Sequence, residues 1–155
     1  TVGLELEEKL AIMNKNTIII TGHGRYAAGI KSFIKEVAGD IPGIEFVDFH
    51  SDISVDDLKE AFEKMVKENK DSGVLFLADI IGGTPFNKAV EVSAGNPRIL
   101  TAAGCNPGSI LEACLTKDEM NLEELCESAI ENTKNNVVKF EIEVRENMES
   151  CEDGI

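Results

Sequence analysis

The chain has 155 residues and is 43% hydrophobic, enough to build one core and too short for two full domains. Fifteen bases against 29 acids give a formal charge of −14, which repels nucleic-acid phosphates and anionic membranes. No apolar run approaches the roughly 20 residues that cross a bilayer, and no signal peptide is legible, so a soluble cytoplasmic protein is expected.

The cysteines point the same way. Cys105, Cys114, Cys126 and Cys151 form no CxxC pair, and neither histidine stands at zinc spacing from them. Cys114 and Cys126 read as small core residues and Cys151 as a tail thiol, in a reducing compartment and with no metal site.

Residues 1–12, "TVGLELEEKLAI", precede "MNKN", which reads as a natural start at Met13. They are expected to lie outside the fold, as an appended or disordered segment. The domain is then 13–144, and 145–155 is an acidic tail; residues 141–155 hold six acids and one base.

From Asn16 onward short β-branched runs alternate with longer helical stretches, a βαβα pattern. Thr17 to Thr21, "TIIIT", is too continuously apolar for a half-exposed strand and reads as a central parallel one covered on both faces. A helix over Ala27 to Val37 carries Ile30, Phe33, Ile34 and Val37 on one stripe and stops at "GDIPG".

The second strand is "IEFVDF", Ile44 to Phe49. Ser54 caps the next helix with Asp57 at its third position, and Val55, Leu58, Phe62, Met65 and Val66 make its apolar stripe. The third strand, "GVLFLAD", is apolar until Asp79 and runs into "IIGGTPFNKAVEVS", where Thr84 reads as N-cap and Pro85 as first helical residue.

A shorter fourth strand spans Arg98 to Ala102, followed by helices over Ser109 to Leu115 and Asn121 to Asn135. The alternation in "VVKFEIEV" predicts a last strand, half exposed or on an edge. The whole reads as α/β, an open doubly wound, mainly parallel sheet.

In such sheets ligands sit beyond the carboxyl ends of the strands, at the switch point of the topology. Two clusters stand there, "TGHG" after the first strand and "ADIIGGTPF" after the third. Taken alone, His23 between Gly22 and Gly24 fits an ordinary turn, although bare glycines also let an incoming group approach.

Asp79 changes the reading, because a carboxylate at the end of a buried strand is expensive to desolvate without a partner. It could cap its own loop. Were the first and third strands neighbours, it would instead take the proton of one ring nitrogen of His23 and leave the other free for attack. Gly82, Gly83 and Thr84 then offer bare backbone and a helix start to an anion.

Three further residues stand on the same rim. Arg25 suits a phosphate, and equally a solvated helix start. Ile81 sits directly before the paired glycines. His50 ends the second strand, one strand from the switch point, and is expected to face solvent or a local partner.

"IIITGHGRYAAGIKSF", "GVLFLADIIGGTPFN" and "ILTAAGCNPGSILEACL" together resemble the enzyme IIA component of the mannose family of the bacterial sugar phosphotransferase system, over about residues 16–140. The resemblance implies that His23 is transiently phosphorylated, that Asp79 is its partner, and that Gly82, Gly83, Thr84 and Pro85 line the phosphoryl site. It also implies strand order 2-1-3-4 and a homodimer exchanging a C-terminal antiparallel strand, a role open to "VVKFEIEV".

Some members carry tryptophan where this chain has Ile81, which bears on the pocket wall and the choice of partner. His23 would receive its phosphoryl group from the small phosphocarrier HPr and pass it to a sugar-specific enzyme IIB, serving the membrane components IIC and IID, without cofactor. The rival readings are the phosphocarrier subunit of dihydroxyacetone kinase and a non-catalytic nucleotide or flavin module. Against the module, GxGxxG and GxxxxGK[ST] are both missing.

Overall fold

The computed structural model describes residues 2–143. Four strands make one parallel sheet in the order β2-β1-β3-β4: β1 is Asn16–His23, β2 is Ile44–Phe49, β3 is Gly73–Ala78 and β4 is Ile99–Ala103. The side-by-side placement of β1 and β3 that the His23–Asp79 argument required is therefore present.

Alternation along the two central strands builds two cores. Ile18, Ile20, Leu75 and Leu77 face one side, where α2 (Tyr26–Ala38), α5 (Pro107–Thr116) and α6 (Leu122–Asn136) cover them with Ile30, Ile34, Ile110, Cys114 and Leu125. Ile19, Val74 and Phe76 face the other, beneath α3 (Val55–Glu68) and α4 (Thr84–Ser93), which supply Leu58, Phe62 and Ala89. From Asn16 to Gly22 every residue of β1 is buried, so the continuous isoleucine run is that of a strand wetted on neither face.

The topology reverses between β1 and β3. The β1 connection departs through α2 on one face, and the β3 connection through α4 on the other, leaving a gap above their carboxyl ends.

At the amino ends, polar side chains tie the loops down. Asn16 donates from Nδ2 to the carbonyls of Lys117 (2.6 Å) and Met120 (2.9 Å), and Lys117 Nζ donates to the Asn16 carbonyl at 3.1 Å. Arg98 donates to the carbonyls of Asn69 (2.8 Å), Ser72 (2.6 Å) and Val66 (3.3 Å), closing the end of α3.

The two ends of the described chain bear on two further expectations. Val2–Met13 forms a helix, α1, in the segment expected to be appended or disordered; its Leu, Glu, Lys and Ala content favours the helical state. Residues 137–143 form no strand in this chain. A strand needs a neighbour to bond, and here Val137, Val138, Phe140 and Ile142 stand 74 to 85% exposed. The expected tail, 145–155, lies outside the described residues.

Smaller differences have local causes. Val37 and Val55, assigned to apolar stripes, are 61% and 40% exposed because they stand near a helix end and a helix start, beyond the reach of the sheet. Asn106 and Asn121 cap α5 and α6, accepting from Ser109 and Glu124 respectively. Ser54 caps α3 as read, its hydroxyl accepting the Asp57 N–H at 3.0 Å.

Candidate active site

His23 is the last residue of β1, and Asp79 follows the last residue of β3. The register pairs Thr21 with Ala78, which brings the next residues together across the switch point. Asp79 Oδ2 lies 2.7 Å from His23 Nδ1 and also accepts the His23 backbone N–H at 2.9 Å. Its other oxygen accepts the Ile80 N–H at 2.8 Å.

A carboxylate oxygen can only accept, so the Nδ1 proton lies on the ring and the Nε2 lone pair is left unoccupied. Burial pushes the Asp79 carboxyl upward, but the His23 N–H, the imidazole and the Ile80 N–H together outweigh it. The net result is a pKa below the ordinary 3.8. Asp79 stays anionic, with its side chain 12% exposed, whereas the imidazole is 44% exposed and stands open to an incoming molecule.

The walls of the site are backbone and aromatic. Phe49 meets the imidazole edge-on, ring centres 6.1 Å apart, and its carbonyl accepts the Gly24 N–H at 2.6 Å. Gly83 lies directly against the ring: a Cβ there would come within 2.6 Å of His23 Cε1 and 3.4 Å of Nε2. Gly24 and Gly82 take φ of +59° and +77°, turns that L side chains resist.

Gly83, not Thr84, is the N-cap of α4, so Thr84 is the first helical residue and the buried Pro85 the second. The displacement is physical. A glycine is needed where the chain touches the imidazole, and the helix begins immediately after it. Among the described residues the Thr84 N–H and hydroxyl have no partner, and helix starts expose such donors to anions.

Of the expected phosphoryl contacts, Gly83 lies against the His23 ring, Gly82 and Thr84 flank it in the second loop, and Gly24 follows His23 in the first. Arg25 is the exposed N-cap of α2, and its guanidinium has no partner among the described residues. Ile81 is 80% exposed on the rim, with Ile80 beside it at 56%. His50 faces solvent with Asp52, its Nδ1 accepting the Asp52 N–H at 3.3 Å, and takes no part.

Sequence reasoning missed three supports. Asn87 Nδ2 donates to the Gly82 carbonyl at 3.1 Å and ties the glycine loop to α4; it was visible as the last residue of "GGTPFN". Asp48 Oδ1 accepts the Ala28 N–H at 3.0 Å and anchors the start of α2. Only the β1–β2 register, which pairs Gly22 with Asp48, reveals it. Tyr26 stands with Asp79 around the space above Gly22, and no spacing rule marks it.

Residues 17–130 match the family model described as PTS system fructose IIA component, EIIA-man. The chain is 31% identical over 110 residues to the PTS system fructose-specific EIIA component of Bacillus subtilis, covering 70% of this chain and 75% of that protein. The crystal structure of phosphotransferase system component EIIA from Streptococcus agalactiae superposes with a TM-score of 0.72 at 28% identity, over 81% of this chain and 97% of that one.

The mannose/sorbose specific IIA subunit from Enterococcus faecalis shares the fold, with a TM-score of 0.76 at 24% identity over 84% and 98% of the two chains. A parallel 2-1-3-4 sheet carrying a histidine and an aspartate at its switch point, together with this match over most of the chain, places the protein in the mannose family of phosphotransferase-system IIA components.

Proposed function

We propose that His23 Nε2 is the phosphoryl acceptor of a relay in sugar uptake, charged by the phosphohistidine of HPr and discharged to a sugar-specific enzyme IIB. One observation carries this reading. Asp79 Oδ2 holds both the ring nitrogen and the backbone N–H of His23, which fixes the tautomer with Nε2 exposed.

In the forward step the Nε2 lone pair forms an N–P bond while the donor's N–P bond breaks, its electron pair returning to the donor nitrogen. The Nδ1 proton stays in place, so the phosphorylated ring gains positive charge, and the adjacent Asp79 carboxylate stabilises it. Both states are phosphoramidates, so the transfer runs in either direction. A loose phosphoryl group in flight needs alignment and donors, which Gly24, Gly82, Gly83 and the Thr84 N–H and hydroxyl supply. Arg25 adds charge at the rim, and Ile81 bears on partner choice.

The site's openness supports a protein donor. The imidazole is 44% exposed, and three recesses of about 280, 550 and 560 Å³ lie on other surfaces of the described residues. The proposed setting is the cytoplasm, with enzyme IIB linking the relay to the membrane components IIC and IID. The proposed assembly is a homodimer that exchanges the segment beginning at Val137.

Incubation with phosphoenolpyruvate, enzyme I and HPr is expected to add one acid-labile, alkali-stable phosphoryl group, which enzyme IIB then removes. A His23→Ala variant that took up phosphate at the wild-type rate would overturn the assignment. Binding of flavin or nucleotide without phosphate uptake would replace it with the module reading.

A further inference from the structure

Asp79 can direct the His23 tautomer only while its own carboxylate is held still. Oδ2 receives both His23 donors and Oδ1 the Ile80 N–H. An aromatic ring stands near the Asp79 Cβ. A Cβ placed on Gly22 would come within 2.5 Å of Tyr26 Cδ1, 2.8 Å of Tyr26 Cγ and 2.9 Å of Asp79 Cβ. The Tyr26 ring and the Asp79 side chain therefore converge on the same small space above the Gly22 Cα.

We infer that Tyr26 is a positioning residue for phosphoryl transfer, its ring backing the Asp79 side chain and so holding His23 with the proton on Nδ1 and Nε2 presented to the donor. The inference rests on reading His23 as the acceptor and adds a residue to that site.

The ring itself is well anchored. Tyr26 is the first residue of α2, partly buried against the core, and the helix start is pinned from β2 by the Asp48 carboxylate on the Ala28 N–H. Its phenol sits above the ordinary range, through burial first and then through the negative charge of Asp79 and the nearby Cys105. The tyrosine thus lies in the electric field of the carboxylate as well as in its packing shell.

Bulk alone does not supply this support. A flat ring fits the narrow space above a glycine Cα, where a branched side chain leaves gaps. Without it, Asp79 gains rotamers and water, the neutral imidazole populates both tautomers, and the Nε2–H form cannot attack phosphorus.

The test uses the full chain and two readouts. Tyr26→Phe, which keeps the ring, is expected to take up phosphate from phosphorylated HPr within about twofold of wild type. Tyr26→Ala, and Tyr26→Leu as a variant that keeps the core filled, are expected to lose on the order of tenfold to a hundredfold in transfer rate, with apparent affinity for the carrier little changed. Nitrogen-15 spectra of the His23 imidazole are expected to show a mixed tautomer in both, and a pure Nδ1–H ring in wild type and Tyr26→Phe.

If Tyr26 works through Asp79, its removal in an Asp79→Asn background costs nothing more, which a purely structural role would not produce. Wild-type rates and unshifted nitrogen resonances in Tyr26→Leu would overturn the inference, as would equal losses in both backgrounds. The spectra need no phosphoryl donor, so they judge Tyr26 even where His23→Ala has judged the acceptor wrong.

Discussion

A methyl group placed on Gly83 measures how closely the site is fitted. It would sit 2.6 Å from His23 Cε1, closer than real carbon contacts allow, and a tight 3.1 Å from Ile80 Cγ1, so the imidazole or the loop must move. Since φ at Gly83 is −74°, alanine strains no backbone there, and the damage falls on the ring. Gly83→Ala is expected to lose on the order of a hundredfold in phosphoryl uptake while melting close to wild type, as followed by single-turnover kinetics and circular dichroism.

Asp79 supplies a pH dependence with a definite sign. Its folded pKa lies below the ordinary value of 3.8, so the native state favours the ionised form. That stability is fully present above the ordinary value and is lost as pH falls through the folded one. Acid denaturation is the measurement: wild type is expected to lose more stability than Asp79→Asn in this window. Parallel acid curves for the two would count against the hydrogen-bonded carboxylate.

At the scale of elements, the sheet and helices were legible because burial is periodic. "TIIIT" and "GVLFLA" are apolar at consecutive positions, which only a strand covered on both faces explains, and the two cores divide them residue by residue. The Ser54 cap was legible because its hydroxyl acts locally. Contacts made by register were not. That Asp48 stands opposite Gly22, or that Tyr26 meets Asp79, depends on how strands and helices align, and no local pattern records it.

The C-terminal alternation meets the same limit. "VVKFEIEV" has a strand's pattern, but pairing requires a neighbour that one chain does not provide.

The helices also set the chemistry of the thiols. Burial, only partly offset by Lys117, pushes the Cys114 thiol up to about 12. Burial and then Glu123 push Cys126 up to about 11. Both are expected to resist alkylation at neutral pH until the chain unfolds, as mass spectrometry along a denaturant series would record. Each binds its proton more tightly when folded. Their contribution to stability is thus complete below the ordinary 9.0 and is lost as pH rises through about 11 and about 12. Rapid native alkylation of Cys114 would contradict this.

For the molecule as a whole, the exposed apolar residues Val137, Val138, Phe140 and Ile142 in a chain of net charge −14 ask for a cover. On the exchanged-segment proposal, the full chain is expected to sediment as a dimer and a chain ending at Asn136 as a monomer. A truncated chain that stayed dimeric would place the interface elsewhere.

The pairing of β1 with β3 has a temporal consequence. His23 and Asp79 are 56 residues apart in sequence and become neighbours only after β2, α2 and α3 have been laid down and β3 has docked against the far side of β1. With His23 as the proposed acceptor, neither half of the chain owns the whole site, since a chain that has not yet made β3 lacks Asp79. Chemical competence is therefore acquired late and all at once, with the long-range contact that closes the sheet. On the proposed relay, a phosphorylated molecule would certify by its charge state that its central strands have met.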